Sequence, residues 1–107
     1  MPRFAERELH GVDENGNGER IVIWLERGEG GIWRVGRAVN PELRPSAEAR
    51  PEDVVFEGFE LGDALQRANE ALEDDVRVLE EDRLDVDVKP FTRREVLPLL
   101  ERWFFGR

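Results

Sequence analysis

The stretch RIVIWLER (20–27) constrains the fold of this chain more than any other. Its β-branched and aromatic residues favour extended backbone. Alternation sends Ile21, Ile23 and Leu25 to one face, and Val22 and Trp24 to the other. A strand that is apolar on both faces belongs inside a sheet, with cover on either side. The chain is therefore read as sheet first, and the remaining segments as its partners and its cover.

GEGG (28–31) turns the chain, and GIWRVGRAV continues as a partner strand. With Glu29-Gly30 as a two-residue turn, Arg27 falls opposite Ile32 and Trp24 opposite Val35. That register gathers Val22, Trp24, Trp33 and Val35 on one face, with Glu26 facing Trp33 and Val22 facing Arg37. The other face sets Ile21, Ile23 and Leu25 against Gly36 and Ala38, small residues that leave room for a helix. Upstream, RFAERELHGV is a weaker strand with Phe4, Leu9 and Val12 as its apolar positions. Joined through DENGNG, it completes a three-strand antiparallel meander. Either Asn-Gly pair can occupy that bend, so the face carrying His10 stays open.

The segment 40–53, with three prolines, reads as a long loop, and VVFEGF (54–59) as a fourth, edge strand. From Leu61 the period changes. Leu61, Leu65, Ala68, Leu72, Val76 and Leu79 step by three and four, which marks one face of a helix. LDVDVKP alternates briefly and is a candidate for one more strand. Thr92 and Glu95 then spell a capping box, with Phe91 and Val96 as a hydrophobic staple. The helix they open carries Leu97, Leu100, Trp103 and Phe104 on one arc, and Phe105 on the charged side.

These elements predict one α+β domain over 1–107, since a chain of 107 residues has room for a single core. An antiparallel β-sheet of three to five strands, begun by an N-terminal meander, packs with two C-terminal amphipathic helices. The strands lie at about 3–12, 20–27, 31–39 and 54–59, the loop at 40–53, and the helices at about 61–83 and 93–105.

Composition bears mainly on partners. Charged residues make up 38% of the chain, and the net charge is −9. Between Glu70 and Asp87 nine acids stand against Arg77 and Arg83. Such a surface repels phosphate backbones, which disfavours nucleic acid. With no cysteine, disulfides and thiolate chemistry are excluded. No apolar run approaches the roughly 18 residues of a membrane span, and MPRFAERELH lacks the apolar stretch of a signal peptide. A cytoplasmic location is expected.

Chemistry is sparse. DENGNGER (13–20) places Asp13, Asn15, Asn17 and Gly18 as a calcium loop does. Counted from Asp13, however, the twelfth position is Trp24 where a bidentate Glu is needed. The stretch is read as a turn, and no metal or cofactor is expected. His10, Ser46, Thr92 and Lys89 are each the only residue of their type. A Ser-His-acid site would need Ser46 and His10 to meet, and Thr92 is already a helix cap. The chain is therefore read as non-catalytic.

GGIWRVGRAVNP (30–41) resembles the Trp-Gly-Arg module of some nucleic-acid-binding proteins over about a dozen residues. The order here is Trp33-Arg34-Val35-Gly36-Arg37, without a contiguous Trp-Gly-Arg, and the module's function is not carried over. Surplus apolar surface is the stronger clue. Aromatic and arginine side chains anchor protein interfaces, and symmetric self-association is the commonest way to cover them. The leading expectation is a small protein-binding or assembly module that forms a homodimer or takes another protein. Trp24, Trp33, Trp103 and Phe105 are its interface candidates, with Arg34 and Arg37 at the rim. The rival expectation is a single-stranded nucleic-acid-binding domain using Trp24, Trp33 and Arg37 on the sheet face.

Overall fold

A computed structural model describes residues 3–12, 15–45, 50–81 and 88–98. Four strands, β1 (Arg3–Val12), β2 (Gly18–Arg27), β3 (Trp33–Val39) and β4 (Val54–Gly58), form one antiparallel sheet in the order β1-β2-β3-β4. The long helix α1 (Leu61–Glu81) covers one face, and a short helix α2 spans 93–98. The fold is α+β: an open meander packed against one long and one short helix. The alternating stretch 84–87, Ser46 and the end of the chain from Leu99, with Trp103 and Phe105, lie outside the described residues.

Pairing of Ala5 with Leu25, Arg7 with Ile23 and Leu9 with Ile21 fixes the faces of β1. Ala5, Arg7 and Leu9 look towards α1, and His10 lies on the opposite face beside Glu8, 3.4 Å away. Residues 13–17 join the two strands, with Gly16 at φ 82°, the positive value an Asn-Gly bend supplies. A bulge between Arg3 and Ala5 turns Phe4 inward as well. Its ring meets Trp33 edge-on at 5.5 Å.

The register of β2 on β3 differs from the expected one by a single residue. Arg27 pairs with Trp33, Leu25 with Val35 and Trp24 with Gly36. The connection is longer than a two-residue turn: Glu29–Gly31 form a 3₁₀ turn, with Gly30 at φ 73° and Gly31 at φ 78°. The amide of Gly28 closes it on the carbonyl of Ile32 at 2.8 Å. One residue of slip moves every side chain of β3 to the other face. Trp33 and Val35 therefore join Ile23 and Leu25 beneath α1, and Gly36 and Ala38 lie with Val22 and Trp24 on the far side.

On the near side, Leu61, Leu65, Leu72 and Leu79 of α1 are buried together with Ala64, Ala68 and Ala71. The alanines let the helix backbone approach the sheet, while the leucines fill the space between. One acid interrupts this face. Asp75 is buried and accepts two hydrogen bonds from Arg37 of β3, both at 2.8 Å. That pair leaves neither charge unmatched at the helix–sheet boundary, and Asp75 in turn holds the Arg37 guanidinium above its ordinary pKa.

Arg7 fastens the C-terminal segment. Its five N–H groups reach five oxygens: the carbonyls of Glu6, Lys89 and Pro90, and both carboxylate oxygens of Glu95. The guanidinium also stacks on Phe91, 4.5 Å from the ring centroid. Asn69 of α1 holds the same segment by exchanging two hydrogen bonds with the backbone of Phe91, at 2.7 and 3.0 Å. Thr92 caps α2 through Oγ1, which accepts from the Glu95 amide at 3.3 Å, and the staple residues Phe91 and Val96 are both buried. Glu95 sits where a capping box wants it, but its carboxylate is taken up by Arg7.

Two substitutions test this architecture. A methyl group at position 36 would lie 2.1 Å from Cε2 and Cζ2 of Trp24, so Gly36→Ala forces the indole to move. A loss of about 3 kcal/mol is expected, at the upper end for overpacking, read as a fall in the urea midpoint. Arg7→Lys keeps the charge but cannot reproduce the planar fork, and is expected to cost about 2 kcal/mol in the same measurement. A midpoint unchanged by either variant would contradict the packing described.

Candidate functional site

The face away from α1 carries a second, smaller apolar cluster of Val22, Trp24 and Ala38. The indole of Trp24 lies against Gly36, the one β3 position without a side chain in the way. From the outside it is covered by the Arg3 guanidinium, 4.2 Å from the ring centroid. Its Nε1–H is buried without a hydrogen-bond partner among the described residues.

Pro41, Glu42, Arg44 and Asp53, from the two ends of the connection from β3 to β4, lie over this cluster, and both ends are tied down. Asn40, at φ 47°, extends the ladder by one step: its amide donates to the Arg20 carbonyl and its Oδ1 accepts from the Arg20 amide, both at 2.7 Å. Asparagine is the side chain best suited to that backbone. At the other end, Asp53 is buried and accepts from both terminal nitrogens of Arg44, at 2.7 and 2.8 Å. It also accepts from the Arg50 amide at 2.9 Å. The Arg44 hydrogen bonds, aided by that amide, hold the Asp53 carboxyl below its usual range despite burial.

Between this connection and the sheet lies a cavity of about 190 Å³ floored by Val22, Trp24 and Ala38. Arg3, Arg20 and Arg44 wall it, and so do Glu6, Glu42 and Asp53. The charges match one for one: Arg3 pairs with Glu6, Arg20 with Glu42 and Glu8, and Arg44 with Asp53. Three arginines around an aromatic floor suggest an anion site, but each guanidinium already holds a carboxylate. No family model matches the chain, and no curated protein or solved structure matches it either. The reading of the site therefore rests on its own geometry.

The residues singled out in the sequence are distributed over both faces. Trp24 is 1% exposed and Trp33 3% exposed, so neither ring is presented to a partner. They also lie on opposite sides of the sheet, Trp33 under α1 with Arg27 stacked on it at 5.2 Å. Arg37 shares the face of Trp33 and is bound to Asp75. Arg34 shares the face of Trp24 and pairs with Glu57 of β4 at 3.6 Å. Trp24, Trp33 and Arg37 thus do not form one platform.

The exposed aromatic residue among the described ones is one that sequence reasoning passed over. Phe59 follows β4 directly and is 72% exposed, with Val55 of β4 at 36% and Leu43 at 78%. Among the described residues no strand pairs with the outer edge of β4. The available signal was its context. Phe59 stands between Glu57, Glu60 and Asp63, with no base from Pro51 to Gln66, whereas Trp24 sits in the apolar run 21–25. Of the lone polar residues, His10 is exposed, and Thr92 serves α2.

The Asp53 clasp gives a pH signature. A carboxyl whose folded pKa is depressed stabilises the fold above its unfolded value of about 3.9, and that stability drains away as pH falls through the folded value. Asp53→Asn is therefore expected to have a lower urea midpoint than the native chain at pH 7. The gap should narrow steadily below about pH 4. A gap that stays constant with pH would show that the clasp is not the source.

Proposed function

We propose that this chain is a small non-catalytic protein-binding or assembly module, placed in the cytoplasm, whose contact surface is the free edge of β4 with Phe59. The observation that carries the reading is the 72% exposure of Phe59 beside a strand whose outer edge is unpaired among the described residues, in a fold that buries Trp24, Trp33, Phe4 and Phe91. Leaving a large aromatic ring in water forgoes roughly 2 kcal/mol of burial, a loss that contact with another chain recovers. A strand edge adds alternate N–H and C=O groups that a second chain can use. A homodimer is the simplest assembly of this kind. Among the described residues no helix is long and apolar enough to cross a membrane.

Solution mass by light scattering, over a range of concentrations, tests the reading together with Phe59→Ser. Self-assembly through this surface predicts a mass of twice 12.4 kDa that returns to 12.4 kDa in the variant. Titration with mixed single-stranded oligonucleotides at low salt is expected to leave the protein unchanged. A salt-dependent shift, abolished by Arg34→Ala, would replace this reading with nucleic-acid binding.

A further inference from the structure

The two edges of the sheet are not alike. On β1, Arg3, Glu6, Glu8 and His10 line the face away from α1, and Arg7 binds the segment 88–91 on the other. Charges at this density are a common guard against strand addition. On β4 the guard among the described residues is reduced to brevity and to a bulge at Val54 and Val55. From Phe56 to Gly58 the strand is regular, and Phe59 stands exposed at its end.

Charge decides what fits there. Residues 51–63 contain Glu52, Asp53, Glu57, Glu60 and Asp63 and no basic residue. Arg50, Arg44 and Arg34 answer the first three. Glu60 and Asp63 are exposed and have no ion-pair partner among the described residues. A second copy related by a two-fold axis would bring the acidic stretch 57–63 of one chain against that of the other, in a chain already at −9. Like charges so placed oppose pairing, while a basic chain is drawn in.

Resting on the protein-binding reading, we propose that β4 receives an extended segment of a different protein. This segment is apolar where it meets Val55 and Phe59, and basic where it meets Glu57, Glu60 and Asp63. It pairs along Phe56–Gly58 by backbone hydrogen bonds, its side chains alternating between the two faces. Affinity comes from the ladder and the Phe59 contact, and the acids select the charge of the partner.

The test uses two capped seven-residue peptides, one alternating lysine with valine and one alternating glutamate with valine, titrated into isotope-labelled full chain. The lysine peptide is expected to shift the backbone amides of Val54–Phe59 and to bind about ten-fold more weakly on going from about 50 to 300 mM salt. The glutamate peptide is expected to leave those amides in place. Phe59→Ser combined with Glu60→Lys alters two exposed positions, should keep the native urea midpoint, and should weaken the lysine peptide at least ten-fold. Equal responses to both peptides, or shifts away from β4, would overturn the inference. A native dimer that Phe59→Ser dissociates, with no response to either peptide, would give the edge to a second copy; the inference then falls and protein binding stands. A monomer that answers neither peptide would remove both.

Discussion

The indole of Trp24 occupies the space where a side chain at position 36 would be. Everything on both faces of the sheet follows from that contact. It holds β2 and β3 in the one register that puts Trp33 and Val35 under α1, and a slip of one residue would exchange them for Arg34 and Gly36. The five-residue connection 28–32 supports the same register from the other side, because Gly30 and Gly31 adopt positive φ that a side chain would resist. Gly36 and the two turn glycines thus act together: one admits the ring, and the others supply the length of chain that brings it there.

This is also where sequence reasoning reached its limit. The alternation in RIVIWLER, the three-and-four spacing from Leu61 and the staple around Thr92 each depend on neighbours a few residues away, so the meander and the helices were legible. Register depends on the length of one turn, and GEGG allows two or five residues equally well by composition. Face assignment inherits that ambiguity, which is why Trp24 and Trp33 were placed together. The long-range pairs were illegible for a different reason. Arg37 and Asp75 are 38 residues apart, and Arg7 and Glu95 are 88 apart. In a chain with fifteen arginines and twenty-five acids, no composition rule picks those partners out.

Those pairs also explain how so charged a chain makes so dry an interior. Arg7, Arg37 and Arg44 each place a planar fork against a carboxylate from a distant segment, joining the C-terminal segment to β1, α1 to β3, and the two ends of the 44–53 connection. A guanidinium is suited to this, since its five donors lie in a fixed plane and it loses little on leaving water compared with an ammonium. The strong preference for arginine over lysine, fifteen to one, is thus put to structural use. The apolar cluster on the far face of the sheet is small, and the forks close gaps between elements that apolar side chains would otherwise have to fill.

A consequence for the surface follows. Each arginine drawn into such a contact is a positive charge withdrawn from the outside, and its carboxylate partner is withdrawn one for one. With sixteen bases against twenty-five acids, the unmatched remainder is acidic. Among the described residues, acids without an ion-pair partner stand on the exposed side of α1, at Glu70 and Glu73, and at the junction of β4 with α1, at Glu60 and Asp63. The first of these regions is far from any free backbone and keeps the helix solvated. The second adjoins an open strand edge and an uncovered phenyl ring, so there the same excess gives direction to an otherwise unselective edge. The stabilisation of the fold and the charge of the proposed contact surface therefore come from one pattern of arginine use.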